Sequence, residues 1–481
     1  MDKNQISTIS LHEHQSESTF TDDESQQWIQ TELSSLDIGD CRLNQRCISI
    51  LNSFWATPNA SIPQATISWK NTKGAYRFLN NKKATPEKIL TPHQQTTSNR
   101  ISQEKIVLAI QDTTTLNYTH HSQVTGLGNI GTNPELRGML VHTTLSITPE
   151  RVPLGIIHQQ TWIRPPEEYG KKDQRHKKPI EEKESQKWLT SLQATEQLQK
   201  DFPDILFINI GDRESDIYEL FHKATLCQCK LLVRAAWDRK VESEKNYLWN
   251  HLEAQPLETT LEVNTPCKSK KSERIAHLEL RFAKVTIKPP YRMPTLLPLP
   301  SLSLFAIYVN EPSPPQGEEP LSWMLLTTLE VNSVEDALQY VEYYALRFTI
   351  ELFHKVLKSG CNIEKHQLKT ADGLKCCLAM DSIIAWRIMF LTMLGRSVPN
   401  LPCTVIFQNY EWKALYCFVH NTQQPPIEPP SLQGAIKLIA SLGGFLGRKR
   451  DGDPGIQSMW RGLQKLSVIS VAWKAFGPNA S

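Results

Sequence analysis

The alternation of hydrophobic and polar positions changes character along the chain. From Trp28 the pattern is helical with breaks, which predicts a small helical domain over residues 28–95. From Lys105 it changes to three β-rich runs, KIVLAIQDTTTLNY, GMLVHTTLSITP and VPLGIIHQQTWI, which predict an antiparallel meander. Beyond Gly360 the pattern is mostly helical again, and we assign residues 376–481 to a helical C-terminal domain.

Strands and helices alternate in the middle of the chain. The order predicted is a helix within EEKESQKWLTSLQATEQLQKDF, the strand DILFINI, the helix SDIYELFHKA and the strand KLLVRA. Short strand-like runs among many prolines over residues 240–322 indicate an inserted, mainly β subdomain, and WMLLTTLEV is expected to be a returning strand. Strands followed by strand–helix alternation favour a mixed sheet covered by helices. The predicted fold class is therefore α/β (α+β), with one mixed-sheet domain over residues 96–375.

Composition narrows the class of protein. Residues 1–27 are rich in Ser, Gln, Thr, Asp and Glu and are expected to form a flexible polar tail, with no signal peptide. The 53 lysines and arginines nearly balance the 50 aspartates and glutamates, so a net charge of +3 neither requires nor excludes a polyanionic partner. Basic residues concentrate in residues 171–178, 267–274 and 447–450, where local patches can bind phosphates. No apolar run approaches the roughly 20 residues that span a bilayer, so we expect no membrane partner.

The ten cysteines lack the spacing of a disulfide framework, which favours a reducing cytoplasm. Cys227 and Cys229 form one close pair and Cys376 and Cys377 another, but no second pair or histidine pair lies at zinc-finger spacing. We therefore expect ordinary buried thiols rather than a structural zinc.

One long predicted helix, VEYYALRFTIELFHKVLKSG, follows a capping signal at Ser333 and Asp336. At about 100° per residue, five of its side chains share an arc of roughly 60°. These are Tyr344, Arg347, Glu351, Lys355 and Lys358. Five apolar side chains fall opposite: Leu346, Ile350, Phe353, Val356 and Leu357. One face is expected to pack on the sheet while the other displays a carboxylate among cations, although this pattern alone is also typical of solvated ion pairs.

Two aspartates at strand ends change that interpretation. Asp112 lies within or at the end of the strand IVLAIQD, and Asp212 follows LFINIG. A desolvated, unpaired carboxylate is costly, so each aspartate needs a cation, a hydrogen-bond network or water. If the two strands are neighbours, both carboxylates lie at one edge and the helix can bring Glu351 to them. Three oxygen donors suit Mg²⁺ or Mn²⁺, and two such ions can promote in-line attack at phosphorus. The expected phosphate clamps are then Arg347, Lys355 and Lys358.

The order and spacing of these residues resemble a known family. Tyr344, Arg347, Glu351 and Lys358 match the pattern Y-x2-R-x3-E-x6-K, while IQDTTTLNY and GDRESDIY surround the two aspartates. Together with GAYRFLNN, EEKESQKWL, LLVR, LSWMLLTT and SLGGFL, these motifs are similar to those of the bacterial DDE transposases of the insertion-sequence-four family. The likeness extends over almost the whole chain after the polar tail, and the three acidic motifs occur in the family's order.

The resemblance implies an RNase H-like catalytic core with an inserted β subdomain. It also implies an N-terminal domain that binds the terminal inverted repeats of double-stranded DNA and a C-terminal domain that forms a homodimer in the synaptic complex. The implied chemistry is cut and paste, in which each element end is cleaved through a hairpin and its 3′-OH is joined to target DNA. Such an enzyme is expected in the bacterial cytoplasm, associated with the nucleoid when bound to DNA.

The resemblance also implies roles for individual residues. Asp112, Asp212 and Glu351 would be the catalytic residues and would hold two Mg²⁺ ions, for which Mn²⁺ can substitute. Trp323 would stack on a base displaced from the helix. The adjacent phosphates would be held by Tyr344, Arg347 and Lys358, with Arg234 as a weaker candidate.

This chain departs from relatives that place tryptophan after the motif arginine, since it has Phe348, and Thr349 stands where a basic residue can occur. Two other functions remain open. The first is a catalytically silent DNA-binding inhibitor of transposition, against which the intact acids argue. The second is a two-metal nuclease without strand transfer, which the acids alone do not exclude but which the signature tyrosine and Trp323 make less favoured.

Overall fold

The computed structural model describes residues 27–165, 167, 178–265, 274–290 and 299–477. The predicted polar tail, residues 1–27, lies outside the described residues except for Gln27. Of the basic clusters at 171–178 and 267–274, only residues 178 and 274 are among the described residues.

Short helices form the N-terminal part of the protein, as the pattern predicts. They are α1 (Gln27–Glu32), α2 (Cys41–Ala56), α3 (Ile62–Thr66), α4 (Trp69–Leu79) and α5 (Pro86–Ile101). Side-chain caps begin several of them: Asp40 accepts a hydrogen bond from the Arg42 N–H, and Ser68 accepts one from the Asn71 N–H. These caps satisfy N–H groups that have no partner inside the helix.

A single sheet of ten strands forms the centre of the described structure. The strands are β1 (Ile106–Asn117), β2 (Gly128–Asn129), β3 (Arg137–Ile147), β4 (Pro153–Trp162), β5 (Leu206–Gly211), β6 (Lys230–Arg234), β7 (Thr259–Thr265), β8 (Arg274–Ile287), β9 (Leu302–Asn310) and β10 (Ser322–Thr327). Their order is β2-β3-β1-β5-β6-β10-β9-β8-β7, and β4 pairs with β3. The strands β1, β5 and β6 run parallel, and the other pairs are antiparallel.

This topology confirms the predicted fold class. Strands β1, β3 and β4 form the expected meander, and β10 is the returning strand, paired with β6. The strands of the predicted insertion, β7 to β9, extend the central sheet through the β9–β10 pair. The result is a mixed α/β architecture with helical flanks, consistent with an RNase H-like core.

Helices cover the sheet and form the C-terminal part of the chain. In the centre they are α6 (Gln186–Asp201), α7 (Tyr218–Leu226), α8 (Leu248–Glu253), α9 (Val334–Ala345) and α10 (Thr349–Lys355). Those that follow are α11 (Ala371–Ser397), α12 (Asn409–His420), α13 (Leu432–Leu442) and α14 (Ile456–Phe476). The predicted cap is present at α9, where Ser333 and Asp336 form a reciprocal capping box.

The prediction of one uninterrupted helix through the signature was wrong. A 3₁₀ turn at Leu346–Phe348 separates α9 from α10, and a π-helical turn at Val356–Gly360 follows α10. In the second irregular turn the Cys361 N–H donates to the Val356 carbonyl over 2.8 Å. Such turns are hydrogen-bonding changes that hydrophobic periodicity does not report, and π turns are frequent at functional sites. The predicted apolar face is nevertheless buried, since all five of its residues are at most 7% exposed.

The sequence-based expectation about membranes needs one correction. Helix α11 is long and apolar enough to cross a bilayer by length and composition, with a mean hydropathy of 1.6 in its most apolar window. That window is 89% buried inside the protein, where α11 packs against the N-terminal helices, β4 and the other C-terminal helices. Helix α11 is therefore a buried core helix of the protein.

Candidate active site at the end of the parallel strands

The first two predicted acids lie at the same edge of the sheet. Strands β1 and β5 pair in parallel with Ile110 opposite Ile210, and Asp112 and Asp212 each come two residues later. Asp112 Oδ1 accepts a hydrogen bond from the Thr113 N–H over 2.7 Å. The β1–β5 pairing ends at these two isoleucines, so equal spacing places Asp112, which lies within β1, beside Asp212, which directly follows β5.

A glycine allows the chain to turn sharply at the second acid. Asp212 caps a 3₁₀ turn at Arg213–Ser215, and its Oδ1 accepts a hydrogen bond from the Glu214 N–H over 2.9 Å. A Cβ atom on Gly211 would lie 2.3 Å from Ser215 Oγ, so any larger residue would force this turn away from the strand. The glycine in LFINIGD thus holds the Asp212 carboxylate at the strand end.

Helix α10 brings the third acid to this edge, because it packs on β1. The Glu351 side chain is 53% exposed, and it is one of the two carboxylates whose charge raises the pKa of Asp112. Burial is the largest cause of that rise, followed by the charges of Asp212 and Glu351, and together they bring the pKa of Asp112 to about 6. Burial also raises the pKa of Asp212, and Glu214 adds to it. Both pKa shifts therefore come first from burial, and the neighbouring carboxylates add to them.

Arg347 is the cation that joins two of the acids. Its Nη2 donates to Glu351 Oε1 over 2.9 Å, and its Nη1 lies 4.0 Å from Asp112 Oδ2. The Arg347 side chain is only 7% exposed, and its guanidinium carbon lies 4.5 Å from the centre of the Phe348 ring. The 3₁₀ turn at Leu346–Phe348 contacts β1, which places Arg347 against the sheet.

Two histidines near Asp112 do not compensate its charge. His354 Nδ1 lies 3.9 Å from Asp112 Oδ2, but burial, Lys358 and Arg347 lower the pKa of His354 to about 3. The His142 Nδ1 lies 2.9 Å from Thr113 Oγ1, and burial holds the pKa of His142 well below its usual range. Both imidazoles are neutral near pH 7, so they shape the site without adding positive charge.

An aromatic and basic group lies beside the acids. Trp323 on β10 packs edge-on against Tyr344, with ring centres 5.1 Å apart. Arg234 on β6 lies on the neighbouring strand, where its Nη2 donates to the Ser322 carbonyl over 2.9 Å. The pKa of Tyr344 is raised by burial and held down by Arg347 and Arg234, which shows that these charges surround the phenol. The structure thus brings together Trp323, Tyr344, Arg234 and Arg347.

Two of the expected phosphate contacts are buried instead of displayed. Tyr344 is 1% exposed and Arg347 is 6% exposed, which corrects the prediction that the whole polar face of the helix is open to solvent. The reason is that α9 ends at Ala345 and the following turn packs into the sheet edge. Of the remaining basic residues, Lys355 is exposed and Lys358 is half-buried. Lys355 and Glu351 line an open cavity of about 460 Å³, bordered also by Arg151 and Phe348.

Lys187 at the start of α6 is a residue of this site to which the sequence pattern assigned no role. Its side chain is 8% exposed, its Nζ lies 3.0 Å from Glu214 Oε2, and its charge lowers the pKa of Asp212. The ammonium also lies 5.4 Å from the centre of the Trp162 ring. The lysine belongs to the EEKESQKWL motif, so the motif was the available signal, but periodicity alone places it on an ordinary amphipathic helix.

The three acids offer only oxygen donors, the ligand type that hard divalent cations take in proteins. Within the part of the chain that the structure describes, the candidate ligand atoms of these three acids do not all lie within 4.8 Å of one another. Mg²⁺ keeps several waters and takes few protein ligands, so one ion would need only some of these acids, and joint binding by all three would require side-chain movement. Clustered carboxylate oxygens are the ligand chemistry that these ions prefer.

Comparison with known proteins gives two family matches, one before the strands of the sheet in the sequence and one after them. Residues 25–84 match the family described as transposase DNA-binding, and residues 383–475 match the family described as the transposase Tn5 dimerisation domain. The first match covers α1 to α4 and the second covers most of α11 through α14. A cryo-EM structure of the piggyBac transposase synaptic complex with hairpin DNA is also similar, at a TM-score of 0.32 and 11% identity, over 90% of this chain and 72% of that chain. The two family matches support a DNA transposase, with a DNA-binding domain before the sheet and a dimerisation domain after it.

Proposed function

We propose that this protein is a cut-and-paste DNA transposase of the DDE type, similar to the insertion-sequence-four family. The observation that carries the proposal is the convergence of Asp112, Asp212 and Glu351 on one edge of the sheet, with the pKa of Asp112 raised to about 6. Matches to transposase DNA-binding and dimerisation domains support the same function. The proposed substrate is double-stranded DNA carrying terminal inverted repeats, bound by a homodimer.

The three acids are the proposed ligands of two Mg²⁺ ions, for which Mn²⁺ can substitute. When bound, such ions lower the pKa of an attacking water or 3′-OH and stabilise the leaving oxygen at phosphorus. Arg347 holds Glu351 and lies beside Asp112, so it fixes the positions of two ligands before DNA arrives. This preorganisation reduces the rearrangement that each phosphodiester attack requires.

The surrounding residues are suited to holding the DNA strand. Lys355 is exposed on the same side of α10 as Glu351 and is placed to contact a phosphate, while Lys358 is half-buried one turn further. Trp323 is partly exposed, and we propose that its ring stacks on a displaced base. Tyr344, buried against Trp323, is proposed to hold that ring and, with Arg234, to contact a phosphate once the end of the DNA is distorted. A stacked, displaced base would permit the tight hairpin that the family's chemistry requires.

DNA cleavage by the full-length protein tests this proposal. The substrate is linear DNA that includes the inverted repeats flanking the reading frame, incubated with Mg²⁺. We expect Asp112→Ala, Asp212→Ala and Glu351→Ala each to lower the cleavage rate by at least about 1,000-fold while end binding persists, because each removes a metal ligand. Glu342→Gln, which changes an exposed acid on α9, is the matched control and should cleave normally.

Two results would contradict the proposal. Cleavage of the same ends by the triple alanine variant would show that these acids are not catalytic. End binding without any cleavage by the wild type in Mg²⁺ or Mn²⁺ would instead favour a silent DNA-binding inhibitor. Joined products with target DNA, detected on a gel, separate a transposase from a nuclease without strand transfer.

A further inference from the structure

A second group of polar side chains is buried where the chain passes from the signature helix to α11. His366, Cys377 and Asp381 are at most 2% exposed, and their candidate ligand atoms all lie within 4.8 Å of one another. His366 Nε2 lies 3.0 Å from Asp381 Oδ2, and Cys377 Sγ lies 4.0 Å from the same oxygen. Cys377 and Asp381 are four residues apart on one helix, so they share a face. This group contains none of the acids proposed for catalysis.

The hydrogen bonds within this group are incomplete. His366 Nδ1 and Asp381 Oδ1 have no hydrogen-bond partner in the part of the chain that the structure describes, although both atoms are buried. Burial raises the pKa of Asp381, and the charge of that carboxyl, together with burial, raises the pKa of the Cys377 thiol. A fully buried carboxylate with an unpartnered oxygen costs free energy unless a cation compensates it. The group therefore has two buried polar atoms whose bonding is left unsatisfied by the described residues.

We propose that His366, Cys377 and Asp381 are ligands of a structural zinc ion. Imidazole, thiolate and carboxylate are the three ligand types that zinc accepts. In a tetrahedral zinc site, neighbouring nitrogen and oxygen ligands lie about 3.3 Å apart, and sulfur and oxygen ligands about 3.5 Å apart. The spacings of 3.0 Å and 4.0 Å in this structure are close to those values, so small side-chain rotations suffice. Cys361 is also fully buried, but its Sγ donates to the Asp381 backbone carbonyl over 3.7 Å and it lies outside the group of three ligand atoms.

The position of this site gives the ion a structural role. The His366 ring stacks on Phe54 of α2, with ring centres 5.5 Å apart and an angle of 11° between planes. Tyr118, just after β1, donates to the Ile363 carbonyl over 3.1 Å. A metal here would fasten the segment after the signature helix to α11, next to the N-terminal helices and to the strand that carries Asp112.

The proposal revises the expectation of ordinary thiols for one cysteine only. The ligands are separated by 11 and 4 residues, which is not zinc-finger spacing, and they come together only because α11 packs on the preceding loop. The neighbouring Cys376 is also buried, but its Sγ donates to the Ala84 carbonyl over 3.2 Å instead. Cys376 is therefore the matched control for Cys377.

Metal analysis of the full-length protein tests this site. The wild type is produced in zinc-supplemented medium, dialysed against a weak chelator and measured by plasma mass spectrometry. We expect about one tightly held zinc per chain, and after exchange with cobalt an absorption band from thiolate-to-cobalt charge transfer. Cys377→Ser should lose the band and most of the zinc, while Cys376→Ser should keep both. Circular dichroism of each variant verifies that it is folded.

The wild-type measurement alone can overturn the proposal. Absence of both zinc and the cobalt band from folded wild-type protein would show that the group is a metal-free core cluster, as would equal zinc in folded Cys377→Ser. The acids at the sheet edge have no thiolate among them, so the band also separates this site from the catalytic one. Because DNA cleavage is not measured, failure of the zinc site leaves the proposed transposase function untouched.

Discussion

Glu32 and Asp112 are both carboxylates in largely apolar surroundings, but their environments shift the pKa in opposite directions. Burial alone would raise the pKa of Glu32, yet the bonds and charges of His93 and Arg100 outweigh it and lower the pKa to about 2. His93 Nδ1 lies 2.5 Å from Glu32 Oε1, and Arg100 donates to both carboxylate oxygens over 2.9 Å. At Asp112 burial prevails, and the pKa rises to about 6.

The difference between these pKa shifts distinguishes a carboxylate that stabilises the fold from one that can bind a metal ion. Glu32 is compensated within the protein, where it connects α1 to α5 and, through Arg100 and His93, to the backbone of β4. Asp112 has one arginine at 4.0 Å, one neutral histidine and two further acids nearby. A carboxylate that the fold leaves uncompensated in this way is one that an added cation can stabilise.

The largest change in the free energy of unfolding is expected from removing the compensated charge of Glu32. Glu32→Gln leaves Arg100 without its buried partner and should lower the free energy of unfolding by about 3–5 kcal/mol at pH 7. The pKa of Glu32 is lowered on folding, so its contribution is present above about pH 4.5 and is lost as the pH falls through about 2. Urea denaturation measures the change, with Glu87→Gln on the exposed side of α5 as control. A loss of unfolding free energy equal to that of Glu87→Gln would show that the contacts of Glu32 with His93 and Arg100 do not stabilise the protein.

A smaller change in the free energy of unfolding, of opposite sign, is expected from removing the charge of Asp112. Asp112→Asn should raise the free energy of unfolding by about 2 kcal/mol at pH 8 without metal, after allowance for partial exposure of the carboxylate. The pKa of Asp112 is raised on folding, so the wild type regains this stability as the pH falls below about 6, and the two proteins should converge near pH 4. Urea denaturation at both pH values measures the difference. A variant less stable than the wild type at pH 8 would contradict the comparison.

The sequence predicted the parts of this site that depend on simple periodicity. Asp112 and Asp212 follow runs whose apolar pattern identifies strands, and a parallel register then places them together. The burial of Arg347 and Tyr344 was not predicted, because it depends on how α9 and the 3₁₀ turn after it pack on the sheet, which no residue type announces. In the same way, the extension of the sheet by β7 to β9 depends on the β9–β10 pairing, which a list of short strands does not reveal.

Residues brought together by tertiary packing were harder to predict. Lys187 reaches Glu214 from a helix that begins 26 residues earlier in the chain than Asp212, and its sequence neighbours give no sign of the contact. His366 and Cys377 meet only through the packing of a loop on α11. Such contacts are set by how elements pack, and local pattern carries little information about packing.

The central claim is that Asp112, Asp212 and Glu351 bind the same divalent ions. Electron paramagnetic resonance of Mn²⁺ titrated into the full-length protein, bound to its DNA ends at pH 8, tests this claim most directly. We expect two bound Mn²⁺ ions per active site in the wild type and a clear loss of bound Mn²⁺ in Asp112→Asn and in Glu351→Gln. Equal Mn²⁺ binding by the wild type and both variants would contradict the account.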